Sequence, residues 1–313
     1  MNEKETNGCT LTADDIKRVK GMGFLQHKGT DKFNARVITR NGRITTDECM
    51  AIAKAAAAYG DGNMMMTTRM TIEVSGIDYQ DIDAFRAELA KAGLFTGGTG
   101  TKVRPIVSCK GTTCQYGLCD TYDLSMAIHE RFFLGYNGVS LPHKFKIAVG
   151  GCPNNCVKPN LNDLGIIGAK VPQFNADLCK GCKKCQIEAA CPVKVPKVVD
   201  GKAVIDEANC NKCGRCAGKC PFHCTDESIS GYKVYIGGRW GKRTSHGQML
   251  SKIFTDREEV LNVVEKAILL FRSEGIPGER FADTINRIGF EKAEAMILGD
   301  ELLEKKAAIL ENN

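Results

Sequence analysis

Two closely spaced cysteine runs constrain the fold of this 313-residue chain more than any other feature. In each run, three cysteines are separated by two residues and a fourth precedes a proline, giving Cys179-x2-Cys182-x2-Cys185-x5-Cys191 and Cys210-x2-Cys213-x2-Cys216-x3-Cys220. A zinc module needs only four ligands per site, and zinc does not explain why both runs end in Cys-Pro. The spacing therefore predicts iron–sulfur clusters in a short, cysteine-dense segment.

These runs resemble the motifs of two-cluster bacterial ferredoxins, in which the fourth cysteine of each run binds the other cluster. The resemblance implies a [4Fe-4S] cluster held by Cys179, Cys182, Cys185 and Cys220. It implies a second cluster held by Cys210, Cys213, Cys216 and Cys191. Because five residues precede Cys191 instead of the usual three, we expect a local bulge there. Two neighbouring clusters form an electron relay and perform no chemistry on a substrate.

Composition narrows the class of protein. The chain is 43% hydrophobic and 26% charged, as expected of a globular protein with substantial cores. It contains no run of about 18 apolar residues and no apolar N-terminal segment, so we expect no membrane span, no secretory signal and a cytoplasmic location. Sixteen cysteines in a reducing compartment indicate metal ligands more than disulfides.

The net charge of +6 does not by itself indicate a nucleic-acid partner. Three [4Fe-4S] cores of charge +2, bound by twelve thiolates of charge −1, would together contribute about −6 and cancel that excess. No stripe of alternating basic and aromatic residues accompanies the charge. We therefore expect the basic excess to compensate anionic cofactors, with no nucleic acid bound.

Helix and strand signals outside the cysteine-rich segment predict an α+β fold. Capping boxes formed by Thr45 with Glu48, and by Thr255 with Glu258, each predict the start of a helix. The composition changes sharply at about residue 171, and the mixed pattern resumes after about residue 225. We therefore predict an N-terminal domain over 1–97, a second domain over 98–170 and 226–313, and a cysteine-rich module over 171–225 inserted into the second domain.

A further group of cysteines lies upstream as Cys109-x4-Cys114 and Cys152-x3-Cys156. Two such pairs could bind zinc. With their neighbours, however, they resemble the sirohaem and [4Fe-4S] site of the sulfite and nitrite reductase family. The resemblance covers nearly the whole chain. It rests on the segments 67–69 (TTR), 104–109 (RPIVSC), 144–146 (KFK), 150–156 (GGCPNNC) and 234–239 (VYIGGR). The small size and the ferredoxin module are most similar to the anaerobic, dissimilatory-type sulfite reductases within this family.

The resemblance implies a specific fold and cofactor set. The fold would be a ferredoxin-like half domain followed by a sirohaem and [4Fe-4S] domain that carries the inserted two-cluster ferredoxin module. The cofactors would be sirohaem and three [4Fe-4S] clusters. The ligands of the third cluster would be Cys109, Cys114, Cys152 and Cys156. The sulfur of Cys156 would also be the axial ligand of the sirohaem iron, which makes the cluster and the haem one electronic unit.

One spacing departs from the large assimilatory members of that family. Their first cysteine pair is usually spaced Cys-x5-Cys, whereas Cys109 and Cys114 are separated by four residues. Cys119 follows after another four, so the ligand pair could instead be Cys114 and Cys119. The segment after Cys109, Lys110-Gly-Thr-Thr, matches the family turn and favours Cys109 with Cys114.

Four basic residues match the positions that the family uses to bind its anionic substrate: Arg69, Arg104, Lys144 and Lys146. Sulfite is a small dianion, and its transfer from water to a pocket above an electron-rich haem requires converging cations. The same side chains can supply protons as S–O bonds break. Lys144 and Lys146 alternate as in a strand, which directs both to one face. The alternative is that all four are solvated surface charges.

Sirohaem carries eight carboxylates, so its periphery needs basic partners. The candidates are Arg36, Arg239 and Arg243, together with Lys28 and Lys242. Arg239 follows Gly237 and Gly238, and glycines allow the backbone to approach a ligand closely. For the others, a solvated surface position is an equal alternative.

These observations predict the catalytic subunit of a sirohaem-dependent sulfite reductase, in which six electrons convert sulfite to sulfide. The chain has no dinucleotide fingerprint, so the donor must dock from outside. The resemblance implies donor subunits with flavin and iron–sulfur centres, reduced nicotinamide as the electron source, and an oligomer. Two alternatives stay open, namely ammonia-forming nitrite reduction and a non-catalytic iron–sulfur electron carrier.

Overall fold

The computed structural model describes residues 11–311, which separate into two compact units. The described part of the first unit comprises residues 11–108, 125–147 and 265–311, and the second comprises 109–124 and 148–264. Both units combine helices with strands, as the α+β prediction requires. The three-part division at residues 97, 171 and 225 stays a prediction.

The first unit contains an antiparallel sheet of four strands in the order β1-β2-β4-β3. Its strands are β1 (Phe24–Gln26), β2 (Lys32–Val37), β3 (Met64–Met66) and β4 (Ile72–Asp78). Its first three helices are α1 (Ala13–Gly21), α2 (Thr46–Tyr59) and α3 (Ile82–Ala90). Strands and helices share one apolar core, in which Phe24, Phe33 and Phe85 are fully buried.

Local capping explains where the early helices begin and end. The Thr45 hydroxyl accepts the Glu48 backbone N–H at 3.2 Å, and the Glu48 carboxylate accepts the Thr45 N–H at 2.7 Å, so the predicted capping box is confirmed. Gly60 ends α2, and a Cβ at this position would lie 3.1 Å from the Ala56 carbonyl oxygen. The sequence signals for α2 therefore hold at both ends.

The remaining segments of the first unit are largely helical. Strand β5 (Val107–Ser108) and a π-helical turn over His129–Leu134 belong to this unit, as do the last parts of α4 (Thr121–Ile128) and α6 (Arg257–Glu274). Four shorter helices follow, α7 (Phe281–Ile288), α8 (Phe290–Leu298), α9 (Glu301–Glu304) and α10 (Lys306–Glu311). Phe145, Phe271 and Phe281 pack with ring centroids 5.1–5.9 Å apart and form the centre of this core.

The predicted capping box at Thr255 is wrong by one residue. Helix α6 begins at Arg257, and the Asp256 carboxylate accepts the Glu259 backbone N–H at 2.9 Å. Asp256 therefore occupies the N-cap position instead of Thr255. Two adjacent residues that can both cap a helix leave this choice to tertiary packing.

The second unit is built on strands β6 (Ile147–Gly150), β7 (Leu164–Pro172), β10 (Ser228–Ile236) and β11 (Gln248–Met249). They lie in the order β11-β10-β7-β6, and β7 pairs with β10 over nine residues. The chain leaves β7 at Pro172 and re-enters β10 at Ser228, and these two residues are paired. The segment between them contains α5 (Gln186–Ala190) and a hairpin of β8 (Lys197–Val199) and β9 (Lys202–Val204). Across residues 11–311, no helix is long and apolar enough to cross a bilayer.

Candidate functional site

Two cysteine-bearing turns of the second unit meet through glycines. A Cβ on Gly151 would lie 2.8 Å from the Cα of Gly111, and a Cβ on Gly111 would lie 2.9 Å from the Cα of Gly151. The Gly151 backbone N–H donates to the Cys109 sulfur at 3.1 Å. Any larger side chain would separate the turn after Cys109 from the turn that carries Cys152. The glycines therefore permit the close approach that a shared ligand set needs.

The four predicted ligands of the third cluster lie in one neighbourhood. Burial raises the pKa of the Cys152 thiol, and the nearby thiols of Cys109, Cys156 and Cys114 raise it further. Cys156 is exposed, whereas the other three are partly buried. An exposed sulfur in this group remains accessible to a second metal centre.

Cys119 has a different environment from these four. Burial, followed by the charges of Cys109 and Asp120, raises the pKa of its thiol to about 12. Its sulfur lies against Gly168, where a Cβ would come within 2.8 Å, and its thiol is directed at the Gly150 carbonyl oxygen at 4.0 Å. Cys119 is thus packed beside Cys109 and Cys152, whose charges also raise its pKa, and the ligand pair Cys109 and Cys114 stays a prediction.

In the segment between β7 and β10, the last cysteine of each run lies beside the cysteines of the other run. Burial raises the pKa of Cys216 to about 11, and the neighbouring thiols that add to this are Cys210, Cys213 and Cys191. Cys191 belongs to the first run, so its proximity to the second run matches the exchanged fourth ligand of a two-cluster ferredoxin.

The other group is assembled around a buried thiol. Cys224 is 1% exposed, and its pKa is raised to about 12 by burial and by hydrogen bonds with Cys220 and Cys179. Cys179, Cys185 and Cys220 pack against the same small core.

The residues before Cys191 form the short helix α5 instead of the expected bulge, because five residues suffice for one helical turn. Across 11–311, no three His, Cys, Asp or Glu side chains are arranged to hold a single metal ion.

In the first unit, two segments bring predicted substrate cations onto one face. Val103 and Phe145 form a parallel bridge and are buried, at 4% and 0% exposure. The Arg104 N–H donates to the Phe145 carbonyl oxygen at 2.8 Å. Because side chains alternate along extended backbone, Arg104, Lys144 and Lys146 lie on the opposite face from this buried pair. Lys144 and Lys146 are partly exposed, as the alternation predicted.

Arg69 reaches the same segment from the turn after β3. Its Nη2 donates to the Ile147 carbonyl oxygen at 3.3 Å, one residue beyond Lys146. The four predicted substrate cations are therefore neighbours within the first unit, whereas the cluster cysteines belong to the second unit.

Arg104 is the most unusual of the four cations. Burial, followed by the positive charges of Arg36 and Arg280, lowers its pKa to about 10. Its Nη1 donates to the Gly98 carbonyl oxygen at 2.7 Å, and its buried Nε has no hydrogen-bond partner within residues 11–311. No carboxylate of that part of the chain contributes to its pKa. Such a guanidinium is compensated once an anion binds.

The predicted sirohaem-binding residues have different surroundings. Arg36 is largely buried and forms an ion pair with Glu73 at 2.6 Å. Arg239 pairs with Ser245 in a tight hairpin of the second unit, and Arg243 is exposed near its tip. The backbone beside Arg239 is close-packed, since a Cβ on Gly238 would lie 2.5 Å from the Asn160 carbonyl oxygen.

Two buried cations beside predicted site residues were not predicted from the sequence. Arg280 is 7% exposed and contributes to the low pKa of Arg104, and Lys233 is 5% exposed beside Cys210 and Cys213, two predicted cluster ligands. Lys233 lies in the VYIGGR-bearing strand β10, but no local signal distinguishes a buried lysine from a solvated one. Both positions depend on contacts made by distant parts of the chain.

Comparison with known proteins gives two family matches. The model for the nitrite and sulphite reductase 4Fe-4S domain matches residues 99–306. The model for the nitrite/sulfite reductase ferredoxin-like half domain matches residues 25–92. Together they cover most of the chain and follow the predicted order of a half domain followed by a cluster-binding domain.

Individual relatives agree with these matches. One of the anaerobic sulfite reductase subunits of Salmonella typhimurium is 30% identical, over 86% of this chain and 85% of the relative. Coenzyme F420-dependent sulfite reductase of Methanocaldococcus jannaschii is 32% identical over 79% of this chain, but the match spans only 39% of that relative. A solved dissimilatory sulfite reductase I superposes with a TM-score of 0.66 at 22% identity, over 85% of this chain and 69% of that one, and so shares its fold. The predicted fold class and family are confirmed, and the chain belongs to the nitrite and sulfite reductase family.

Proposed function

We propose that this chain is the catalytic subunit of a sirohaem-dependent sulfite reductase, which reduces sulfite to sulfide with six electrons. The observation that carries the proposal is the cluster of Arg69, Arg104, Lys144 and Lys146 around the paired segments 102–104 and 144–147. An electron carrier has no use for four cations that share one face. A protein that binds a small dianion requires them.

The residues present fit the proposed cofactors. Cys109, Cys114, Cys152 and Cys156 would hold the cluster next to the sirohaem, since their thiols interact and Cys156 alone of the four is exposed. The sirohaem would supply an iron atom that binds the substrate sulfur and accepts electrons. Metal binding requires the thiols to lose protons, so the raised pKa of Cys152 predicts that cluster loading weakens in acid.

The four cations would bind and orient the anion. Arg104 lacks a carboxylate partner among the residues described, so an arriving dianion relieves an existing cost of burial. Lys144 and Lys146 would donate protons from their ammonium groups as oxygen leaves as water. Arginines, which keep their charge at neutral pH, would hold the remaining oxygens in place.

The inserted segment would deliver electrons to this site. Grouping of Cys191 with the second run, and of Cys220 with Cys179, supports two exchanged-ligand clusters that act as a relay. The electrons would come from separate donor subunits that carry flavin and iron–sulfur centres, with reduced nicotinamide as their source. Association with these subunits, and with further copies of the chain, is part of the proposal.

Nitrite reduction to ammonia is the second candidate, because it also takes six electrons at one atom and the matching family models are named for both substrates. A small cationic pocket suits either anion. Steady-state rates with sulfite and nitrite, measured on one preparation with one artificial donor, would separate them. A higher kcat/KM for nitrite would refute the proposed substrate.

The cofactor content tests the proposal as a whole. Anaerobic purification, a visible spectrum and analysis of iron and labile sulfide should give sirohaem bands together with three [4Fe-4S] clusters. A spectrum that shows iron–sulfur absorption without any tetrapyrrole would identify an electron carrier and refute the enzyme.

A further inference from the structure

A buried lysine lies beside one of the two clusters in the inserted segment. Lys233 in β10 is 5% exposed, and its Nζ donates to the Asn211 carbonyl oxygen at 2.9 Å. Asn211 lies between Cys210 and Cys213 in the sequence, so the ammonium group is held next to two predicted ligands. Among residues 11–311, no acidic side chain forms an ion pair with it.

The charged groups around Lys233 indicate which anions offset the free-energy cost of burying its ammonium group. Desolvation lowers its pKa to about 8, while Cys210 and Cys213 are the groups that favour its charged form. A buried ammonium group is strongly destabilised unless an anion lies near it. The thiolates of a bound cluster are the anions available at this position.

The cysteine group beside Lys233 also shares a cleft with a predicted ligand of the third cluster. A cleft of about 300 Å³ in the second unit is lined by both Cys213 and Cys152. Among the lining residues, the Lys170 N–H donates to the Lys212 carbonyl oxygen at 2.9 Å, and Arg215 lies over the Tyr116 ring at 5.1 Å. Gly214 permits this approach, because a Cβ there would lie 2.6 Å from the Lys170 Cβ.

We propose that the buried positive charge of Lys233 raises the reduction potential of the adjacent cluster above that of the other ferredoxin-type cluster. The adjacent cluster is the one held by Cys210, Cys213, Cys216 and Cys191. The inference rests on the cluster assignment of the proposed function. A nearby positive charge stabilises the reduced state, whose net charge is one unit more negative, and burial strengthens that interaction. Each electron received from the external donor therefore accumulates on the side that faces Cys152.

A matched lysine beside the other cluster provides the control. Lys202 Nζ donates to the Cys179 carbonyl oxygen at 2.8 Å, in the same manner as Lys233 beside Cys210, but its side chain is exposed. Solvent screens an exposed charge far more than a buried one. Lys202 should therefore affect its cluster much less.

Redox titration monitored by electron paramagnetic resonance on the anaerobic holoprotein tests the inference. Cys182→Ser and Cys213→Ser variants first assign the two ferredoxin-type signals. The cluster whose signal changes in Cys213→Ser is called the Cys213-marked cluster, and the one whose signal changes in Cys182→Ser the Cys182-marked cluster. Lys233→Met should then reduce the equilibrium constant for reduction of the Cys213-marked cluster at least tenfold, which lowers its one-electron reduction potential by about 59 mV. Lys202→Met should change the other cluster less than about threefold, or about 28 mV.

A Lys233→Met shift below threefold, or a shift confined to the Cys182-marked cluster, would overturn the inference. If that variant fails to take up clusters, the wild-type protein decides: its Cys213-marked cluster must have the higher potential of the two, and the reverse order refutes the role of Lys233. Wild-type protein without ferredoxin-type signals would instead refute the proposed function, and iron analysis distinguishes that outcome.

Discussion

Replacement of Arg104 by methionine should stabilise the protein while it weakens sulfite binding. Burial, followed by the charges of Arg36 and Arg280, lowers the pKa of Arg104 to about 10. Each pKa unit corresponds to about 1.36 kcal/mol, so its positive charge destabilises the ligand-free fold by at most about 3.4 kcal/mol. The lost hydrogen bond to Gly98 offsets about 1–2 kcal/mol of this. Because Arg36 donates to the same carbonyl at 3.2 Å, no acceptor is left unsatisfied.

We therefore expect Arg104→Met to unfold at higher denaturant, with a gain of about 1–2 kcal/mol. Bound sulfite should add RT ln(1 + [L]/Kd) to the free energy of unfolding of the wild type. A tenfold higher Kd in the variant would reduce this ligand-dependent stabilisation by about 1.4 kcal/mol at saturating sulfite. The assay is denaturant unfolding of the anaerobic holoprotein with and without a sulfite series.

Arg36→Met is the matched control, since Arg36 donates to the same Gly98 carbonyl but is paired with Glu73. Its loss leaves a largely buried carboxylate without its ion pair and should destabilise the fold by about 2 kcal/mol. If Arg104→Met were as destabilising as Arg36→Met and kept the full sulfite gain, Arg104 would be structural and its assignment to the substrate would fail.

Three further predictions address other parts of the molecule. Lys144→Ala should keep the visible haem spectrum but lower the turnover rate about a hundredfold or more. The control Lys17→Ala, at an exposed position on α1, should keep the wild-type turnover rate. Equal rates for the two variants would remove Lys144 from catalysis. Cys119→Ser should retain all iron and labile sulfide, and loss of one cluster would make Cys119 a ligand. The pKa of Glu279 is lowered to about 2, chiefly by its hydrogen bonds with Arg287. The ionised carboxylate therefore stabilises the folded state at pH values above its unfolded pKa near 4.5, and this contribution is lost as the pH falls toward 2. Glu279→Gln should therefore cost about 1–2 kcal/mol at pH 7 and less at pH 4 in thermal unfolding, and a pH-independent cost would assign the effect to packing.

Features fixed by local covalent spacing could be predicted from the sequence. The capping box of Thr45 and Glu48 depends on contacts three residues apart, and it holds. The strand-like alternation of Lys144, Phe145 and Lys146 likewise appears as alternating exposure. The family motifs lie in such segments, which is why fold class and family followed from them.

Features set by long-range packing could not be predicted in this way. Asp256 caps α6 instead of Thr255, because both can accept the hydrogen bond and only the surrounding fold selects one. The burial of Lys233 and Arg280 depends on elements far away in the sequence. The same holds for Arg104, whose low pKa arises from its burial and from two distant arginines.

The pairing of Pro172 with Ser228 means that the intervening segment begins and ends at one point of the sheet. Because its two ends are already adjacent, the entropic cost of closing this long loop is met by the β7–β10 ladder and does not depend on what the loop contains. A change in the length of the segment between these residues should therefore leave the pairing of Pro172 with Ser228 in place, whereas the contacts of Lys170 and Lys233 with residues 211–214 would be lost with the segment. The β7–β10 joint is thus where the host sheet tolerates a long excursion of the chain.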